Sequence, residues 1–180
     1  FVFTSDNGPW HNLPDRMLQR GNERWHTGLT GPLRGAKATT YEGGFRVPGI
    51  IRWPGTIEPG MVSNAMASTM DLFSTLALAA GVNLPADRPI DGYDLQPFLR
   101  GEADSPRDTL FYFAHKRLEA VRIGDWKLSL REPGNPQLFN LEVDPGEMYN
   151  RFEAEPQKAA ELQAAMEAFR QETGAEPPRQ

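Results

Sequence analysis

The sequence predicts an α/β fold that gives way near residue 108 to a small antiparallel sheet carrying one helix, and three observations lead there. An apolar start, Phe1-Val-Phe-Thr4, runs straight into a polar turn. A second apolar run, Val47 to Trp53, is followed by a helix-periodic stretch, Ser68 to Ala80. From Leu110 onward the texture changes to the alternation of antiparallel strands, and the chain closes on another helical period.

Each element has a local reason. Phe1 to Thr4 reads as a short buried strand, ended by the turn-forming run Ser5-Asp-Asn-Gly-Pro9; the chain thus begins inside a domain, without an initiator Met or a leader. Residues 10 to 46 are rich in Gly, Arg, His and Thr with little periodicity, too long for a simple connection, and point to a functional loop. Val47-Pro-Gly-Ile-Ile-Arg-Trp53 reads as a second buried strand end, closed by Pro54-Gly55. Ser68 or Thr69 caps the next helix, Leu72, Phe73, Leu76 and Ala80 form its apolar face, and Gly81 stops it. The Pro, Asp and Gly rich passage 82 to 108 sets a domain boundary, separating 1–108 from 109–180.

Beyond it, Ala120-Val-Arg-Ile123 and Trp126-Lys-Leu-Ser-Leu130 flank Gly124-Asp125, a two-residue loop with Gly first that suits a type II′ hairpin. Val121, Ile123, Trp126, Leu128 and Leu130 form its apolar face, which puts Lys127 on the exposed side. Asp144-Pro-Gly-Glu147 is a turn with Pro second and Gly third. Pro156 opens a final helix with Ala159, Leu162, Met166 and Phe169 on one face; Gly174 ends it, and the last five residues, 176 to 180, are expected to fray.

Composition narrows the function classes. The 180 residues carry a net charge of -5 with no run of Lys and Arg, which removes the electrostatic footprint of nucleic acid or of an anionic membrane surface. No stretch approaches the roughly 20 apolar residues of a membrane span. Without cysteine, disulfides, thiolate metal sites and a cysteine nucleophile are excluded from this stretch.

Chemistry concentrates in two places. Asp6 and Asn7 follow a strand, at the edge where open α/β sheets gather ligands, and a carboxylate beside an amide carbonyl suits a hard cation such as Ca2+ or Mg2+. Asp-Asn-Gly is also a common turn and nothing more. Gly31-Pro-Leu-Arg-Gly-Ala-Lys37 is a glycine-rich segment ending in a cation, either an anion cradle or an ordinary surface loop. It is not a P-loop, because Lys37 stands between Ala36 and Ala38 where Gly-Lys-Ser/Thr would be needed. His11, His26 and His115 are candidates for substrate contact or solvated loop residues, and no pair has the i, i+4 spacing of a zinc helix. Trp10, Trp25 and Tyr41 could wall a ring or pin the loop to the core.

Context comes from Tyr41-Glu-Gly-Gly-Phe-Arg-Val-Pro48. The order S-D-N-G-P, then G-P-L-R-G-x-K-x-T-T-Y-E-G-G-x-R-V-P, resembles the second half of the catalytic domain of the sulfatase family, of arylsulfatase type and alkaline phosphatase-like fold. Further matches are Met70-Asp-Leu-Phe-Ser-Thr-Leu76, Ile90-Asp-Gly-Tyr-Asp-Leu95, Ala120 to Lys127 and Gln137 to Glu147, so the resemblance spans residues 1 to about 170. It implies hydrolysis of a small-molecule or carbohydrate sulfate ester by a hydrated formylglycine beside a divalent cation, usually Ca2+. Asp6 and Asn7 then match the later pair of metal ligands and Lys37 the lysine that holds sulfate oxygens, while Glu42 and Arg46 fit scaffolding salt bridges. A periplasmic or extracellular location is also suggested by the resemblance.

The family's C/S-x-P-x-R motif, the source of formylglycine, is absent, as are two earlier acidic ligands and the catalytic histidines. Asn12-Leu-Pro-Asp-Arg16 and Thr30-Gly-Pro-Leu-Arg34 imitate it, but Asn cannot become an aldehyde and Thr would give a ketone. The expectation is a fragment carrying part of the site without the nucleophile. A phosphodiesterase or phosphonate hydrolase of the same superfamily, or a non-catalytic binding module that keeps the shell, stays open beside it.

Overall fold

A computed structural model describes residues 1–11 and 13–178. Asn12 of the first imitation motif and Arg179 and Gln180 of the expected frayed tail lie outside the described residues. The chain forms two compact units, one of residues 1–4 and 49–108, the other of residues 5–48 and 109–180.

In the first unit, β1 (Val2–Phe3) pairs antiparallel with β2 (Ile50–Ile51), in register Val2 to Ile51. The expected buried strands are here a two-stranded ribbon with Phe1, Phe3 and Ile50 more than half exposed. A lone pair of short strands has no neighbouring strand and no second layer of its own to cover those side chains. One helix, α2 (Thr69–Ala79), starts where the sequence places it: Ser68 Oγ accepts from Met70 N at 3.2 Å, and Asp71 Oδ2 accepts from Ser68 N at 2.7 Å. Its expected face is reversed, because Phe73 and Leu76 are exposed whereas Asp71, Ser74 and Thr75 are buried. These polar side chains tie down the chain around 91–95: Ser74 Oγ donates to Gly92 O, Thr75 Oγ1 accepts from Leu95 N, and Asp71 accepts from Tyr93 N. Asp71 also receives Arg107 in a buried bidentate pair, so hydrogen bonding decides which face of the helix turns inward. A short α3 (Gln96–Leu99) follows.

The second unit is built on a four-stranded antiparallel sheet in sequential order, β3 (Thr109–Ala114), β4 (Arg117–Ile123), β5 (Trp126–Ser129) and β6 (Gln137–Asn140). Ile123 opposes Trp126 across Gly124-Asp125, and Gly124 has φ 55, as the type II′ expectation requires. In the Asp144–Glu147 turn, Glu147 N bonds Asp144 O, and the left-handed residue is Glu147 itself at φ 53. One face of the sheet packs Leu118, Val121, Leu128 and Leu138 against Ala159, Leu162 and Met166 of α4 (Pro156–Thr173). Phe169 of α4 stacks on Phe111 at 3.8 Å between ring centroids. Glu176 exchanges backbone bonds with Lys116 and Leu118, which corrects the expectation that the tail frays from residue 176.

The opposite face of this sheet, expected to meet solvent, carries the buried Tyr112, Glu119, Lys127 and Ser129. Residues of the 34–46 segment lie on it, and that cover brings the long irregular loop into the folded core.

Candidate functional site

Four-residue α1 (Glu42–Phe45) is where the two chemistry-bearing stretches meet. Gly8 N donates to Gly44 O at 3.0 Å, and a Cβ at Gly8 would run into the carbonyl oxygen of Gly43. The backbones can approach this closely only because neither residue has a side chain. Asp6 and Asn7 sit on the free side of that contact. Asn7 Nδ2 donates to Gly8 O at 3.0 Å, and among the described residues no protein group donates to Asn7 Oδ1 or to the exposed Asp6 carboxylate. Two side chains whose oxygens have no protein donor among the described residues fit a hard cation, and they supply a fraction of the six to eight oxygens that Ca2+ takes. No cluster of three His, Asp or Glu side chains able to hold a metal exists among the described residues.

Lys37 arrives from the other side of the same support. Gly43 N donates to Arg34 O at 2.7 Å, and Thr39 Oγ1 accepts from Ala36 N at 3.2 Å while donating to Ala36 O at 2.7 Å, closing a tight turn with Ala38 at φ 69. Lys37 N donates to Pro9 O at 2.9 Å, two residues beyond Asn7. Its half-buried ammonium lies 5.3 Å from the centre of the Trp10 ring and has no carboxylate partner among the described residues. An ammonium without a carboxylate partner among the described residues, on a turn whose backbone is bonded to Pro9 two residues beyond Asn7, can receive an anion.

Beneath this lies a buried ionic cluster. Lys127 Nζ is 2.9 Å from Glu42 Oε1 and 2.9 Å from Glu147 Oε1, and it sits 4.2 Å from the Tyr112 ring centre. Tyr112 OH donates to Glu42 Oε1 at 2.9 Å, Glu147 Oε2 accepts from Glu42 N at 2.7 Å, and Arg122 approaches Glu42 Oε2 at 3.6 Å. The two carboxyls diverge. Burial raises both, but for Glu42 it is outweighed by the charge and hydrogen bonds of Lys127 and Tyr112, so its pKa is lowered, whereas for Glu147 burial prevails and its pKa is raised.

Residues 36–173 match the family described as N-sulphoglucosamine sulphohydrolase, C-terminal. The chain is 37% identical to arylsulfatase A of Bos taurus across 94% of this chain and 36% of the relative. It is 43% identical to N-acetylgalactosamine-6-sulfatase of Mus musculus across 71% of this chain and 23% of the relative. The fold matches the crystal structure of PsFucS1 sulfatase from Pseudoalteromonas sp. at a TM-score of 0.77 and 30% identity, over 93% of this chain and 36% of that one. This chain belongs to the sulfatase family. It spans about a third of the length of arylsulfatase A. The alkaline phosphatase-like fold expected from the motifs is thereby established, and Lys37 falls inside the matched family region.

Other expectations for this sulfatase segment fare differently. Glu42 does enter salt bridges, whereas Arg46 is exposed. Lys127, expected on the outside of its hairpin, is fully buried, because the 40–46 segment covers the face that alternation alone assigns to solvent. Tyr41 cannot wall a ligand: it is 7% exposed, its hydroxyl donates to Glu132 at 2.5 Å, and burial followed by that bond pushes its pKa up to about 12. His115 is an exposed residue of the β3–β4 turn with φ 57, and His26 Nδ1 accepts from Glu23 N at 3.1 Å within a 3-10 turn, Arg24–Thr27. His11 is exposed, and Trp10 remains beside Lys37. Sequence reasoning assigned Glu42 to a salt bridge but missed its partner Lys127 and the second carboxylate Glu147, for which the one local signal was a charged residue between Trp126 and Leu128.

Proposed function

We propose that this chain is part of a sulfuric ester hydrolase of arylsulfatase type in which Lys37 grips the sulfate group and Asp6 and Asn7 supply two oxygen ligands to a Ca2+ ion. The observation that carries the reading is the hydrogen bond from Lys37 N to Pro9 O at 2.9 Å, which ties the backbone that bears Lys37 to the turn that bears Asp6 and Asn7. Residues 1–108 then belong to the catalytic α/β domain and 109–180 to its C-terminal subdomain, and the formylglycine nucleophile comes from outside these 180 residues. The ester is a sulfated carbohydrate or small molecule, in keeping with relatives named for an aryl sulfate and for N-acetylgalactosamine 6-sulfate. A periplasmic or extracellular setting accompanies this reading, and no described helix is long and apolar enough to cross a membrane.

The bound cation would polarise a sulfate oxygen. Lys37 donates to sulfate oxygens, and its ammonium interacts more strongly as the S–O bond to the leaving group breaks and negative charge grows. Asp6 and Asn7 would supply side-chain oxygens to the ion, and Gly8 lets the backbone turn close against α1. In the parent enzyme Lys37→Ala should therefore lower kcat roughly a hundredfold, about 3 kcal/mol, with a smaller change in KM. Lys37→Arg should restore only part, since a planar guanidinium on a longer reach cannot occupy the same point. Steady-state kinetics on an aryl sulfate and the matching aryl phosphate decide between sulfatase and phosphohydrolase, and a wild-type kcat for Lys37→Ala would remove Lys37 from the reaction.

A further inference from the structure

The charged cluster beneath α1 is too elaborate for a strand–loop contact. Lys127 is fully buried, faces two carboxylates and the face of Tyr112, and reaches neither Lys37 nor Asn7. Ion pairs so placed seldom stabilise more than a packed apolar group of equal volume would, because desolvation offsets most of the attraction. What such a pair does supply is a single geometry, with one ammonium aligned on fixed oxygens.

That geometry reaches the candidate site through one short element. Glu42 opens α1, whose Gly44 carbonyl holds Gly8 next to Asn7, and whose Gly43 amide holds Arg34 at the start of the turn that presents Lys37. A Cβ at Gly43 would strike the carbonyls of Arg34 and Gly35, and one at Gly44 those of Thr39 and Ala36, so the turn rests directly on α1 without side chains to absorb a shift. Phe45 packs on Tyr112 at 4.9 Å between ring centres, and Arg34 donates to Glu147 O at 3.0 Å. Both stretches thus share one footing, and the footing is bolted to β5 by Lys127.

We infer that Lys127 is a positioning residue for catalysis, setting through Glu42 and α1 the placement of Lys37 and of the Asp6–Asn7 pair together. This rests on the proposed role of Lys37. Lys127 touches no substrate, and its effect passes through the residues it holds. Losing it lowers kcat more than it raises KM, because a small displacement of a preorganised donor is felt most in the transition state. Part of the loss should vanish once Lys37 is gone, since a mispositioned lysine and an absent one fail alike.

The test is a double-mutant cycle on kcat in the parent enzyme. Because Lys127→Met alone would leave two buried carboxylates, the variant is K127M/E147Q, with E42Q as a second, shape-conserving probe if the first yields no folded protein, and Lys158→Ala, at a partly exposed lysine of α4 outside the cluster, as the control. Expected are a roughly tenfold lower kcat for K127M/E147Q and a threefold or greater loss for E42Q, shrinking to less than threefold for K127M/E147Q in a Lys37→Ala background, with Lys158→Ala at wild-type rate. A folded K127M/E147Q or E42Q with wild-type kcat, or losses that multiply in full with Lys37→Ala, would overturn the inference while leaving the role of Lys37 intact. If Lys37→Ala itself keeps wild-type kcat, the underlying reading fails instead.

Discussion

At the scale of single residues, Lys127 and Lys37 show how little a lysine's letter says about its work. Lys37 has no carboxylate partner among the described residues and stands on a turn held by backbone bonds, while Lys127 surrenders all solvent to two carboxylates. Lys127→Ala should destabilise the second unit by about 3–5 kcal/mol, because it strands buried Glu42 and Glu147 without their counter-charge. Urea unfolding followed by Trp126 fluorescence measures this, and a change below about 1 kcal/mol would mean that water reaches the cluster. Glu147→Gln runs the other way. Its raised pKa means that the stability Glu147 contributes is complete below the ordinary value of 4.5 and is lost as pH rises through the folded value. A neutral Gln removes that loss, so E147Q should unfold at a higher urea midpoint than the wild type at pH 7, with the gap closing toward pH 4. A lower midpoint at pH 7 would contradict the sign.

Single elements were legible wherever their signals are local. Ser68, one of the two caps the sequence offers with Thr69, together with Gly124-Asp125, Pro156 and Gly174, marks an end or turn through local chemistry, and each stands where the sequence puts it. Replacing Ser68 with Ala should cost about 1 kcal/mol, measurable as a lower urea midpoint for the first unit, since Ser68 Oγ accepts from Met70 N at 3.2 Å. In the second unit, Leu162→Ala should cost about 2–5 kcal/mol, because its side chain is wholly enclosed between α4 and the sheet. Faces were less legible than ends. Helix α2 buries Asp71, Ser74 and Thr75 and exposes Phe73, the reverse of its hydrophobic period, because backbone groups of Gly92, Tyr93 and Leu95 bond those three polar side chains.

For the whole molecule, acid should act on both units through carboxylates held in the charged form. Burial opposes ionisation of Asp71 and Glu42, but the Arg107 and backbone hydrogen bonds at Asp71 and Lys127 at Glu42 outweigh it, so both pKa values are lowered from 3.8 and 4.5. Their contribution is complete above those ordinary values and is lost as pH falls through the folded ones. Asp71→Asn should therefore flatten the acid limb of a stability profile between pH 5 and pH 2, and an unchanged limb would show that the Arg107 pair does not carry it.

The sequence by itself determined the family, the candidate residues Asp6, Asn7 and Lys37, the strand pairing across Gly124-Asp125 and the amphipathic α4, because each is written in neighbouring residues or in a fixed period. Only the tertiary structure decided that Lys127 is buried, that Tyr41 is a support rather than a ligand wall, and that the Asn7 and Lys37 stretches stand on one four-residue helix. The physical reason is that a strand's alternation says which residues share a face, not what covers it. Here the cover comes from the 34–46 segment, some 80 residues away in sequence from β5, and its fit depends on Gly8, Gly43 and Gly44 leaving room that no local pattern reports.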